Sequence, residues 1–185
     1  MIAITHCGIR CYKIDGKLYP SVSAALDLLY PLSGKWVDQA SMDRGTLCHA
    51  WMAKWLLNRD TKLPKDKELR DRFRRASEWI EKDGCATVKV EATFVHPVHR
   101  YAGTIDRYAT DHHGIYVDDF KFAEALGERY EMQVLAYKAM VDADTARLIQ
   151  VPAEGPVRVI TVKPNPRLWS AFISAVNVLN FRLAS

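Results

Sequence analysis

The stretch Ile115-Tyr116-Val117-Asp118-Asp119-Phe120-Lys121 constrains this chain more than any other. β-Branched and aromatic residues in succession favour an extended strand. The strand ends on a carboxylate and an ammonium two residues apart. Side chains alternate faces along a strand, so Asp119 and Lys121 share a side with Ile115 and Val117. Asp118 takes the opposite side. An ion pair at the end of an apolar strand is costly to bury unless both charges are paired or hold something charged. Upstream, Ala102-Gly103-Thr104-Ile105-Asp106 brings a second carboxylate, on a neighbouring antiparallel strand. Two carboxylates converging beside a lysine suit a hard divalent cation and a phosphate.

The rest of the pattern fits one domain built around these strands. With 185 residues the chain is long enough for a sizeable core and too short for two comfortable domains. Residues 1–84 read as a mainly helical N-terminal part, and 85–185 as a sheet core with flanking helices. Residues 11–19 alternate around Asp15-Gly16, a hairpin signal. Pro20-Ser21 opens a helix carrying Val22, Leu26 and Leu29 on one face, broken by Pro31 and Gly34. A second helix is predicted from about Val37 to Asn58, with His49, Met52, Ala53 and Leu56 on one face. After a polar connection from Asp60 to Asp66, a helix over 67–83 stops at Gly84. Strands follow over 87–95, 101–110 and 114–122. The first places Val88, Val90, Ala92 and Phe94 on one face and Lys89, Glu91 and Thr93 on the other. A helix over 125–143, strands over 147–151 and 157–162, and a helix opened by Asn165-Pro166 complete the chain. The fold class is α/β with a mixed, mostly antiparallel central sheet.

Charge and cysteine usage narrow the setting. A net charge of +4 is compatible with a polyanionic partner. Arg70, Arg72, Arg74 and Arg75, with Lys62, Lys65 and Lys67, read equally as a solvated helix face or a DNA contact surface. Met1-Ile2-Ala3-Ile4 lacks the pattern of a signal peptide, and no apolar run is long enough to span a bilayer. Scattered Cys7, Cys11, Cys48 and Cys85 read as reduced thiols, so a cytoplasmic protein without a membrane partner is expected. His6, Cys7 and Cys11 have no matching pair at zinc spacing. On spacing alone, His49 is a core histidine before it is a ligand.

Gly103-Thr104-Ile105-Asp106, Asp119-Phe120-Lys121 and Gln133-x-x-x-Tyr137 together resemble the PD-(D/E)XK nuclease superfamily, in its RecB-like exonuclease branch. The GxxD, DxK and QxxxY signatures stand in that branch's order. Arg44-Gly45-Thr46-Leu47-Cys48-His49 is similar to its upstream helical histidine after an arginine-glycine pair. Tyr12-x-x-Asp15-Gly16-x-x-Tyr19-Pro20-Ser21-Val22-Ser23 resembles the opening of phage-encoded members. The likeness spans most of the chain and implies a restriction-endonuclease-like core.

The resemblance also implies roles. His49, Asp106 and Asp119 would hold Mg²⁺ or Mn²⁺, joined by the backbone carbonyl of Phe120. Lys121 would position the attacking water and stabilise charge developing on phosphorus. Gln133 and Tyr137 would brace the site or touch substrate, and Arg44 and Arg107 would bind it. Glu91 stands where many relatives carry a strand glutamate, either behind the ligands or at a second ion. Phe122 departs from the Thr or Ser usual after the lysine. Cysteines on both sides of the core would be needed for an iron–sulfur cluster, and none follows Cys85. The implied activity is a metal-dependent DNA exonuclease in recombination, repair or phage DNA processing. The implied partners are DNA and a single-strand annealing or single-strand binding protein. A structure-specific or nicking endonuclease, and a catalytically silent DNA-binding subunit on the same fold, are the alternatives.

Overall fold

Two tight turns shape the start of the chain. Cys7 (φ 49°) with Gly8 (φ 74°), and Asp15 (φ 49°) with Gly16 (φ 76°), each put two successive residues in the left-handed region. That is the conformation a two-residue hairpin loop requires. They fold β1 (Ile2–His6), β2 (Ile9–Ile14) and β3 (Lys17–Pro20) into an antiparallel three-stranded sheet. Asp15-Gly16 predicted the second hairpin. The first went unread because Cys7-Gly8 is a weaker turn signal than Asp-Gly. The computed structural model describes residues 2–31, 39–58 and 61–184. Gly34, Val37 and Asp60, used above to bound helices, lie outside them.

The Ser21 hydroxyl accepts a hydrogen bond from the Ala24 amide and caps α1 (Val22–Leu29). α2 spans Gln39–Leu57 and α3 spans Lys67–Asp83. α3 opens on Asp66, which accepts from the Leu69 amide at 2.9 Å, and closes on Gly84 at φ 78°. The main sheet then forms from β4 (Ala86–Val95), β5 (Ala102–Asp111), β6 (Gly114–Lys121), β7 (Thr145–Gln150) and β8 (Arg158–Val162), in that order. Its neighbours are antiparallel except β6 and β7, which run parallel across the helix α4 (Glu128–Val141). α5 (Pro166–Ala184) ends the described chain. The sheet is mixed and mostly antiparallel, as predicted. No helix among the described residues is long and apolar enough to cross a membrane.

Each sheet face buries its own apolar layer. Tyr101, Ile105, Val117 and Leu148 pack with residues of α1, α4 and α5. Phe120, Phe122, Ile149 and Val151 pack with Met52 and Trp55 of α2 and Phe73 and Ile80 of α3. Strand alternation thus sends Val117 and Phe120 of β6 to opposite layers.

That alternation fails in β4. A bulge between Thr87 and Lys89 leaves Val88 51% exposed, although simple alternation had set it with Val90, Ala92 and Phe94. Further along, Glu91 has φ 46° while the register holds on either side, Val90 to Arg107 and Ala92 to Ile105. The strand bends there. Lys89 Nζ reaches to within 5.0 Å of the Phe94 ring centre across it. β5 follows the bend. Gly103 and Ile105 face the α1–α4 layer, but Arg107 faces α3. Asp106 sits at the break.

Candidate active site

The bend gathers side chains from three elements. Asp106 of β5, Glu91 of β4 and His49 of α2 each offer one ligand atom, all within 4.8 Å of one another. His49 Nδ1 is 3.2 Å from Asp106 Oδ2, and the same oxygen accepts from the Phe120 amide at 2.8 Å. Pairing of β5 with β6 stops at Arg107 and Asp118, so this side-chain bond takes the place of the next ladder bond. Asp119 is not part of the 4.8 Å set. It lies one strand over, fully buried, with Lys121 Nζ at 2.6 Å from Oδ2. Neither Asp119 oxygen receives a well-aligned hydrogen bond. Lys121 is the charge partner of Oδ2, and a buried carboxylate so sparsely satisfied has room for a further cation.

The protonation states divide accordingly. Burial opposes ionisation of Asp106, but the charges of His49 and Lys121 and the Phe120 amide overcome it and lower its pKa. Burial raises the Asp119 carboxyl to about 6, with Lys121 opposing and Asp106 adding to the rise. Glu91 keeps an exposed edge, yet the mass around its carboxyl, and then Asp106, push it up to about 7. His49 and Lys121 both rise, since neighbouring carboxylates outweigh the burial that would lower them. The set therefore holds more protons near neutrality than isolated groups would.

Supporting contacts come from α4. Gln133 Nε2 donates to the Tyr137 hydroxyl at 2.9 Å, and the Tyr137 ring is buried. Lys121 Nζ also lies 5.2 Å from the Tyr130 ring centre. Gly103 is where the sheet meets this helix: a Cβ there would stand 2.7 Å from Tyr137 Cε1 and 3.0 Å from Val22 Cγ2. Gly103→Ala is expected to destabilise the fold by about 1–3 kcal/mol through overpacking, read as a lower thermal midpoint.

No family model matches the sequence, and no curated protein matches it. The fold has clear counterparts. The structure of the alkaline exonuclease LHK-Exo from Laribacter hongkongensis matches with a TM-score of 0.56, over 90% of this chain and 88% of that one, at 11% identity. LHK-Exo in complex with dAMP matches with a TM-score of 0.52, over 89% and 87%, also at 11% identity. The fold is that of the PD-(D/E)XK nucleases.

On this PD-(D/E)XK fold, Asp106, Asp119 and Lys121 stand on adjacent strands, with His49 reaching in from α2. The Phe122 ring packs edge-on against His49, centroids 5.4 Å apart. Arg44 is exposed on α2 and lines a small cleft with Gly45, Cys48, Leu69, Arg72 and Phe122. Glu91, expected behind the ligands or at a second ion, brings a carboxylate oxygen within 4.8 Å of the His49 and Asp106 ligand atoms.

Arg107 corrects a sequence expectation. It is fully buried and has no surface to offer a substrate. Its guanidinium donates to Asp118 at 2.7 Å, Asp83 at 2.9 Å, Thr87 at 2.9 Å and the Cys85 carbonyl at 2.7 Å. Arg147 grips the same two carboxylates, donating to Asp118 at 2.6 and 2.8 Å and to Asp83 at 2.8 and 3.2 Å. The network packs beside Trp79 and Tyr116 on the α3 side of β6, directly behind Asp119. Sequence reading missed it because its members are scattered between residues 83 and 147. The one local signal was Asp118, assigned correctly to the opposite face from Asp119. The basic run of α3 is likewise partly structural. Arg72 is buried and donates to the Phe122 carbonyl at 2.8 Å, while Arg75 donates to the carbonyls of Pro152 and Ala153.

Proposed function

We propose that this chain is a metal-dependent deoxyribonuclease, an exonuclease acting in recombination, repair or phage DNA processing. One observation carries the reading: His49, Glu91 and Asp106 converge beside a buried Asp119 whose charge partner among the described residues is Lys121, on a nuclease fold. Oxygen donors with one imidazole fit Mg²⁺ or Mn²⁺. His49, Glu91, Asp106, Asp119 and the Phe120 carbonyl would hold the ion. When bound, it would supply positive charge to the phosphate and a water of lowered pKa. Lys121, released from Asp119, would meet the negative charge that builds on the phosphate. Gln133 and Tyr137 would hold the strand bearing Asp119 against α4. Arg44, exposed at the rim, would neutralise substrate phosphate.

The test is nucleotide release from end-labelled linear DNA and from circles, with Mg²⁺ or Mn²⁺ and with chelator. Release from linear DNA alone, abolished by chelator, fits the proposal. Cutting of circles makes the protein an endonuclease, and no cutting makes it a silent DNA-binding subunit.

The raised pKa values fix a pH dependence. Glu91, at about 7, Asp119, at about 6, and protonated His49 must all lose protons before they can bind a cation. Mg²⁺ affinity by calorimetry should therefore rise with pH between about 6 and 8, with proton release. For the metal-free protein the sign is opposite. Glu91 and Asp119 bind protons more tightly folded than unfolded, so their contribution to stability is full below about 4 and lost as pH climbs through about 7.

A further inference from the structure

The opening Tyr12-x-x-Asp15-Gly16-x-x-Tyr19 plays no part in the site described so far, yet Tyr12 reaches its flank. The Tyr12 hydroxyl lies 3.0 Å from Thr104 Oγ1, which lies 2.9 Å from Thr93 Oγ1. All three residues are half-buried. Thr93 and Thr104 are register partners, two residues along their strands from Glu91 and Asp106. Gly103 and Ile105 face α1 and α4, so Thr104 shares with Asp106 the side turned towards His49. The row of hydroxyls thus starts about 6.6 Å along β5 from Asp106. That is a step comparable with one nucleotide of an extended strand.

Counting protons shows what the row lacks. Three hydroxyls carry three protons, and the two bonds within the row use two of them. Whichever way the bonds run, one O–H is left over: an end hydroxyl's if the bonds run in one direction, Thr104's if both neighbours donate to it. No acceptor for it stands among the described residues. The row thus keeps one donor in hand beside the candidate site.

We propose that Tyr12, Thr104 and Thr93 form a substrate subsite for the DNA backbone. The spare O–H donates to a non-bridging oxygen of the phosphodiester next to the scissile one, and the strand crosses β4 and β5 over the row. The proposal rests on the nuclease reading and extends it. Hydroxyl donors to phosphate fix where a strand lies without reading its bases. The opening hairpin thereby gains a purpose, because it carries the outermost hydroxyl of the row.

The test is equilibrium binding of a short single-stranded oligonucleotide, with Ca²⁺ in place of Mg²⁺. Tyr12→Phe removes only the hydroxyl and should weaken binding about tenfold, as for one hydrogen bond to a charged group. A neutral methylphosphonate, moved along the oligonucleotide, should weaken wild-type binding at one position by a similar factor. At that position it should cost Tyr12→Phe nothing further. Thr104→Val should match Tyr12→Phe, and Thr104→Ser should recover the wild-type affinity, which separates a lost bond from misfolding. Unchanged affinity in Tyr12→Phe, or losses that multiply at every position, would overturn the subsite. Wild-type protein that shows this pattern yet cleaves no DNA would keep the subsite and sink the nuclease reading alone.

Discussion

Lys121→Ala is expected to slow single-turnover DNA cleavage by about a hundred- to a thousandfold, the usual cost of removing one donor aimed at transition-state charge. In the resting structure the Lys121 ammonium is spent on Asp119, at 2.6 Å from Oδ2. Removing it leaves the carboxylates in place and takes a competing cation away from them. Metal affinity should therefore hold or rise while the rate collapses. DNA binding should change little, because the charge is needed most as the transition state forms. Asp119→Ala should instead lose metal binding and cleavage together. Calorimetry with Mg²⁺, paired with rapid-quench kinetics, distinguishes the two variants. A Lys121→Ala protein cleaving at the wild-type rate would leave Lys121 as a mere counter-charge.

Arg107→Ala is expected to cost about 3–5 kcal/mol of folding stability, the range for breaking a buried ion pair from one side. Asp118 would keep only Arg147, and the Thr87 hydroxyl and Cys85 carbonyl would lose their donor. Urea denaturation reads this as a lower midpoint. A well-packed Arg107→Met should cost less than Ala, since it refills the volume beside Trp79. A variant with wild-type stability but poor DNA affinity would return Arg107 to the substrate. Nothing in its surroundings points that way.

What the sequence disclosed depended on the range of the signal. The strand over 114–121, the Asp15-Gly16 turn and the α3 stop at Gly84 are written in neighbouring residues, and they were legible. So was the separation of Asp118 from Asp119, because alternation on one strand needs no tertiary information. The candidate site was read through a resemblance to a known pattern rather than through spacing, which by itself favoured His49 as a core residue. What stayed hidden is what long-range contacts impose. Arg107 reads as a cation beside Asp106, and only the pairing of β5 with β6 puts it opposite Asp118. Val88 reads as a core residue until the bulge turns it out. Glu91 reads as one member of a polar face, whereas at its left-handed backbone position its carboxylate stands beside His49 and Asp106.

That backbone conformation has a consequence for how the chain can vary. Outside glycine, asparagine and aspartate, few residues adopt φ near 46° without strain. A β-branched residue at 91 would favour a straight β4, and β5, bonded to it on both sides of the bend, would straighten with it. Asp106 would then swing away from His49 with neither residue altered. Drift at position 91 can therefore dismantle the centre by geometry alone. A descendant with glycine there would keep the shape and lose only the carboxylate, while one with valine would retain Asp106 in its sequence and lose it from the site.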